Sequence, residues 1–295
     1  MGVILWADQS YSDSVIQIGV KQMLNASEVL TAQVHWNPMD SLFIENINWI
    51  ASLASEHNRD LIINMDWLTD DRKSKRGNGW SFNEEHSRTN FIIDAFTACK
   101  KYNPKYINLG VEVNFLALAN PNEFKAFLDV YNYTKKLLND SFPNTQVSAS
   151  LQLELLYGKL GGWDEKTSVE VLEAFGENYD VLSISTYPHE ADTKSSDSLI
   201  NDLLTRTIKP IGIFETSFPT DKYSYKEQEE YLVHVLSKLN ESKRCKLLIW
   251  TSIHDTETVL KDNHWSGHLG LFSSKFKPKN SWETWNEWLQ HPITD

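Results

Sequence analysis

Two glutamates each close an apolar run in this sequence: Glu112 in "INLGVEVN" and Glu215 in "KPIGIFETSFP". No basic residue stands within five positions of Glu112 on either side. Burying an unpaired carboxylate is costly, so such a residue either finds a distant partner or performs chemistry. If both runs are strands, alternation places Asn108, Gly110 and Glu112 on one face and Ile211, Ile213 and Glu215 on another. Two carboxylates brought to one cleft suit acid/base and nucleophilic work at a glycosidic bond. The plainer alternative is that each pairs with a cation from a loop or helix end. Other residues at the ends of apolar runs are Asp8, Trp36, Asn37, Asp66, Trp67, Asn114, Gln152, Glu154, Tyr187 and Trp250. Amides and carboxylates match sugar hydroxyls, and aromatic rings match the C–H faces of a sugar. The run "DDRKSKR" is expected to be a solvated loop, with Trp80 and Phe82 further along it. Gln152 and Glu154 read equally as a sugar-contacting pair or as a local hydrogen-bond network. His35 fits a site or a satisfied core position. His264 and His268 are spaced i, i+4, but "HWSGH" reads as a loop, and no third ligand is near; no metal site is expected.

The elements that must position these residues alternate between β-branched runs and amphipathic stretches. Strands are expected near 3–7, 29–35, 60–66, 105–111, 145–151, 179–186, 210–214 and 245–251, with Leu109, Val111 and Val113 extending the fourth. Helical patterns lie between them, such as those at 41–56, 121–141 and 225–239, with a last one at 281–290. Phe127 and Tyr133, at helical spacing, are expected in the core, and Trp49, Trp282, Trp285 and Trp288 on the outer helices. Strict βα alternation implies a parallel sheet covered by helices. Eight units within 295 residues fit a closed (β/α)8 TIM barrel, a single α/β domain over 1–295. The active site of such a barrel lies at the C-terminal ends of its strands. No Gly-rich dinucleotide fingerprint, P-loop or nucleophile elbow is present.

Composition narrows the partners. The net charge of -12 opposes nucleic-acid phosphates, and no apolar run approaches a membrane span. Cys99 and Cys245 fall in an expected helix and strand, and read as free buried thiols rather than a disulfide or metal pair. "GVILWAD" follows Met1 as a core strand, so an export signal is absent or already removed; the compartment is not legible, with secretion or a cell-surface location after signal removal slightly favoured over the cytoplasm. Oligomeric state is not legible, and no cofactor is implied.

The ordered segments "KYNPKYINLGVEVNFL", "VSASLQLE", "LSISTYP", "KPIGIFETSFP", "LLIWTSIHD" and "HLGLFSSKFKPKNSWETW" resemble the clan A glycoside hydrolases, retaining (β/α)8 enzymes. The nearest likeness is to family 53 arabinogalactan endo-β-1,4-galactanases and related barrels, from about the third strand onward. The resemblance implies an acid/base at Glu112, a nucleophile at Glu215, a tyrosine that hydrogen-bonds the nucleophile at Tyr187, and an aromatic platform at Trp250. Trp36 and Trp67 would be further platforms. The chain departs from the clan at Val111, where an asparagine usually contacts the sugar 2-hydroxyl; either Asn114, Gln152 or Asn37 substitutes, or the preferred sugar differs at C2, or the barrel has lost activity. The implied function is a retaining β-glycosidase acting on a β-linked poly- or oligosaccharide. The apolar run around Glu112, with Glu215 nearby, is expected to help it hold its proton. The alternative is a non-catalytic carbohydrate-binding barrel, which Val111 favours.

Overall fold

The computed structural model describes residues 1–6, 12–163, 167–191, 196–256 and 267–291. Asp8 and His264 lie outside the described residues. The described chain alternates strands and helices in the order β1 (Gly2–Val3), α1 (Asp13–Ala26), β2 (Val29–His35), α2 (Phe43–Glu56), β3 (Asp60–Asp66), α3 (Glu85–Tyr102), β4 (Tyr106–Asn108), α4 (Asn114–Ala119) and α5 (Pro121–Ser141). It continues with β5 (Gln146–Ser148), β6 (Ser150–Gln152), α6 (Leu153–Leu156), α7 (Val169–Phe175), β7 (Leu182–Thr186), α8 (Asp197–Arg206), β8 (Ile211–Thr216), α9 (Tyr225–Glu241), β9 (Cys245–Trp250) and α10 (Asn280–Gln290). A short 3-10 turn, Pro188–Ala191, follows β7.

The chain forms two compact units. One comprises Leu30–Ser185 and Thr207–Pro210; the other comprises Met1–Val29, Thr186–Arg206 and Ile211–Asp295. In the first, β2, β3, β4 and β5 lie side by side, with Asn64, Asn108 and Ser148 in register across three parallel strands. β6 pairs with β7 in parallel, Ser150 opposite Ser183. In the second unit β9 is flanked by β1 and β8, both parallel to it. The two short strands β5 and β6 occupy the single expected strand 145–151 and are separated at Ala149.

Burial follows the apolar pattern within each unit. In the first, Trp36, Trp67, Trp80, Phe82, Phe91 and Phe127 pack edge-on, tilted or stacked, with ring centroids such as Trp36–Phe91 at 5.0 Å and Trp67–Phe127 at 4.8 Å. Edge-to-face pairs of this kind stabilise by about 0.5–1.5 kcal/mol beyond the area they bury. In the second, Trp250 packs with Tyr231 and Trp285, and Trp285 Nε1 donates to the Ala26 carbonyl at 2.9 Å. Tyr133, expected in the core, is 61% exposed, because the core-facing stripe of α5 runs through Phe124, Phe127, Val130 and Tyr131 instead. Trp49 is exposed, while Trp282 and Trp288 are partly buried. Cys99 and Cys245 are free thiols, and burial pushes Cys99 up to about 12.

Candidate active site

The fourth strand is shorter than the sequence pattern suggests. It ends at Asn108, and residues 109–113 bend before α4 begins at Asn114. Strand alternation therefore does not reach Glu112. Glu112 instead adopts a left-handed backbone, φ 53°, a conformation unusual outside glycine and often found where function holds it. The ladder to the next strands continues around the bend: Leu109 N–H donates to the Ser148 carbonyl at 2.8 Å, and Val113 N–H to that of Ser150 at 3.0 Å. Between these bonds the Glu112 N–H donates to the Ser150 side-chain Oγ at 3.0 Å. Gly110 makes the bend possible, since an added Cβ would come within 2.6 Å of Val113 and 3.1 Å of the Trp67 indole. Trp67 uses that close approach to donate Nε1 to the Leu109 carbonyl at 2.9 Å.

The surroundings of the Glu112 carboxylate are polar, which corrects the expected apolar setting. Ser185 Oγ donates to Oε1 at 2.5 Å, and Arg72 Nε lies 3.0 Å from Oε2. Arg72 also places Nη1 2.5 Å from Asp66 Oδ1 at the end of β3. Arg76 pairs with Asp70 at 2.5 Å and reaches Asp66 at 4.0 Å. The "DDRKSKR" segment is thus more than a solvated loop: Arg72 is largely buried against Asp66 at the end of β3 and Glu112 on the bend after β4. Nothing within Glu112's own segment announces Arg72, which comes from forty residues upstream. The available signal is the density of cations in the loop that follows a strand-end aspartate.

That loop is anchored from below. Lys75 Nζ, Ser81 Oγ and the Phe82 N–H all reach the buried Glu123 carboxylate of α5, at 2.8, 2.7 and 2.7 Å. Burial alone would raise the Glu123 carboxyl, but the bonds from Lys75, Phe82 and Ser81 outweigh it and hold the group below its ordinary range.

A second constellation surrounds Glu215, in β8. Tyr187 Oη donates to Glu215 Oε2 at 3.2 Å and shares a hydrogen bond with Thr251 Oγ1 at 2.9 Å. Glu215 is 8% exposed and Tyr187 is 7% exposed, so this bond operates largely out of water. Trp6, just beyond β1, donates its indole N–H to the Thr251 carbonyl at 2.6 Å while remaining 41% exposed. An oriented, partly exposed aromatic ring thus lies one residue contact from the Tyr187–Thr251 hydrogen bond. Sequence reasoning selects Asp8 at this strand end and misses Trp6. The two-residue strand is too short for alternation to mark an outward ring.

Several expected contact residues have other partners. Trp36, Trp67 and Trp250 are fully buried, and Trp250 Nε1 donates to the Leu269 carbonyl at 2.8 Å. Rings enclosed in aromatic clusters have no face to offer a sugar here, so their expected role as platforms is corrected to support of the strand ends. Asn114 donates to the Gln152 carbonyl at 2.9 Å and to Ser168 Oγ at 3.1 Å, and accepts from the Gln152 N–H at 2.9 Å. Gln152 donates to Glu154 at 2.7 Å and accepts from the Leu155 N–H, which makes the Gln152–Glu154 pair a local network that starts α6. Asn37, half-buried, accepts through Oδ1 from the Met39 N–H at 3.0 Å, and its amide nitrogen has no partner among the described residues. His35 is exposed, and burial of part of its ring, with Arg76 nearby, lowers its pKa.

No protein-family profile matches the chain, and no curated protein sequence matches it. Solved structures do. The chain is similar to a GH5_18 protein from Bifidobacterium longum subsp. longum solved in complex with Manβ1-4GlcNAc, with TM-score 0.73 and 15% identity, over 99% of this chain and 78% of that one. The exo-β-1,4-mannosidase Op5Man5 from Opitutaceae bacterium strain TAV5 gives TM-score 0.69 at 14% identity, over 97% of this chain and 58% of that one. A family 39 glycoside hydrolase from Bacteroides cellulosilyticus WH2 gives 0.69 at 14%, over 97% and 62%. At such identities the likeness is one of fold. The fold is the α/β, parallel-stranded (β/α)8 kind of these hydrolases. No described helix is long and apolar enough to cross a membrane.

Proposed function

We propose that the chain is a single catalytic domain, a retaining β-glycosidase acting on a β-linked poly- or oligosaccharide. The observation that carries this reading is the Tyr187–Glu215 hydrogen bond, 3.2 Å long, at a strand end of a glycoside-hydrolase-like fold. A tyrosine that donates to one carboxylate oxygen orients the other for attack. Glu215 would bond to the anomeric carbon as the glycosidic C–O bond breaks, and Glu112 would give its proton to the departing oxygen. Water would then attack the same carbon, passing its proton to Glu112 as the Glu215 ester bond breaks. The chemistry needs no cofactor. Trp6 is the ring we assign to stack on the sugar beside Glu215, because it combines a fixed orientation with an open face. Within this reading, β-mannosides and β-1,4-galactans are the first substrates to test, the former from the named structural neighbours and the latter from the family 53 resemblance.

Glu215→Gly should abolish turnover of every aryl glycoside that the wild type cleaves. Added azide should restore cleavage of the activated ones, with α-glycosyl azides as the products. Wild-type rates in Glu215→Gly would end the assignment. One observation favours the binding-barrel alternative. Val111 is buried, and the Asn114 and Gln152 side chains are engaged internally, which leaves Asn37 as the candidate amide for the sugar 2-hydroxyl. A carbohydrate array that retains sugar while no glycoside is cleaved would select that alternative.

A further inference from the structure

Arg72 has no assigned role in the chemistry above, yet its side chain spans the carboxylate of Asp66 at the end of β3 and that of Glu112 on the bend after β4. Its guanidinium lies 3.0 Å from Glu112 Oε2 through Nε and 2.5 Å from Asp66 Oδ1 through Nη1. The residue sits at φ 58° in a loop that is tied to itself: Arg72 N–H donates to the Thr69 carbonyl at 2.8 Å, and Arg76 N–H to that of Trp67 at 2.8 Å. Leu68 and Lys75 form an antiparallel bridge across the loop. The Glu123 anchor on α5 fixes its far side. A strained backbone held by this many bonds suits a side chain whose position matters. Asp66, 3% exposed, fixes one edge of the guanidinium, so the edge facing Glu112 is set by β3 as well as by the loop. The fork geometry of arginine permits this double grip; a lysine ammonium, a single point, would not reproduce it.

We infer that Arg72 is a positioning residue for the acid/base, holding the Glu112 carboxyl on the bend after β4 in the orientation from which it transfers a proton. This rests on the assignment of Glu112 above. Ser185 grips the other carboxylate oxygen, so the two contacts together fix the plane of the group. Loss of Arg72 leaves Ser185 as a single pivot. Proton transfer depends on hydrogen-bond geometry, and general acid catalysis contributes about 100-fold to 10,000-fold in rate, so a swivelling carboxyl should cost part of that factor. The loss should fall on substrates that need protonation and spare those that do not.

The experiment uses Arg72→Gly, because glycine accepts the positive φ without strain. Paired aryl β-glycosides of phenol and of 2,4-dinitrophenol, carrying a sugar that the wild type turns over, separate the two demands. Arg72→Gly should lose about tenfold or more in kcat/KM on the phenyl glycoside, which needs an acid, and far less on the dinitrophenyl one, following Glu112→Gln in direction. Guanidinium ion at non-denaturing concentration should restore part of the phenyl activity, and Arg72→Lys should lie between wild type and Arg72→Gly. Equal losses on both substrates would mark a structural role and overturn the inference. If Glu112→Gln itself shows no leaving-group discrimination, the acid/base assignment fails, and a crystal structure of Arg72→Gly decides the positioning claim alone. A Glu112 carboxyl that has rotated from Ser185 in that structure supports the claim, and one in its original place overturns it. Should Arg72→Gly not fold, the same kinetics and structure on Arg72→Lys decide between these outcomes.

Discussion

In the proposed chemistry Tyr187 and Trp6 would act on the same side by different physical means, and their variants should separate. Tyr187→Phe removes a hydrogen bond to a buried carboxylate. Bonds to charged groups contribute about 1.5–3 kcal/mol, so kcat should fall roughly tenfold to a hundredfold with little change in KM. Trp6→Ala removes a stacking face rather than a bond to the reacting group. A loss of about 1 kcal/mol would raise KM about fivefold and leave kcat nearly intact. Steady-state kinetics on one aryl glycoside checks both, and a Trp6→Ala variant that loses kcat alone would remove the ring from the sugar subsite. The glutamates themselves are legible in the sequence because a carboxylate at the end of an apolar run is expensive without a reason. Their partners are less so. Tyr187 is reached through the family resemblance, whereas Arg72 is hidden in a charge run that reads as solvated. Trp250 and Trp36 show the opposite error, since an aromatic residue at a strand end has the same letter whether its ring faces a sugar or a neighbouring phenylalanine.

Long amphipathic helices are legible nearly to the residue, as with α5 at Pro121–Ser141, because their start is written in local chemistry. Asn120 accepts from the Glu123 N–H at 3.2 Å, and Pro121 opens the first turn. At α9 the signal is a capping box: Ser224 and Glu227 exchange side-chain and backbone bonds. The short strands are less legible. β4 stops at Asn108 since the bend at Gly110 depends on Trp67 and Ser150, neither of which is local. The turn after β7 carries a pH dependence of its own. His189 is buried beside Tyr187 and Phe218, and desolvation, with Lys222 nearby, lowers it from 6.5 to about 4. A depressed histidine stays neutral in the fold while the unfolded chain takes up a proton below pH 6.5. Its contribution is therefore complete above that pH and is lost as pH falls toward 4. The window corresponds to roughly 3 kcal/mol at its acid end. His189→Leu should flatten the decline in urea midpoint between pH 7 and pH 4.5, and an unchanged slope would show that other groups set it.

At the scale of the molecule, eight βα repeats are legible because the period of two in the strands and of 3.6 in the helices alternates along the whole chain. The substrate is not legible, because one fold hosts many sugars and linkages through its loops. Reaction stereochemistry depends on the arrangement of both carboxylates and can be tested before the natural substrate is known. Retaining glycosidases hold the two groups about 5–5.5 Å apart so that one touches the anomeric carbon, while inverting enzymes leave about 6.5–9.5 Å for a water molecule. The proposed double displacement by Glu215 and Glu112 would invert the anomeric carbon twice, so a β-glycoside should release a β-configured sugar first. Proton NMR during the earliest turnover, before mutarotation, reads the anomeric signal directly. A transglycosylation product formed with added methanol should carry the β configuration too, because methanol would intercept the same α-linked glycosyl-enzyme. An initial α-sugar would mean a single displacement with Glu215 activating water. The azide product cannot make this distinction, because azide entering the space of Glu215 turns a β-glycoside into an α-glycosyl azide under either mechanism; the configuration of the first-formed sugar decides between them.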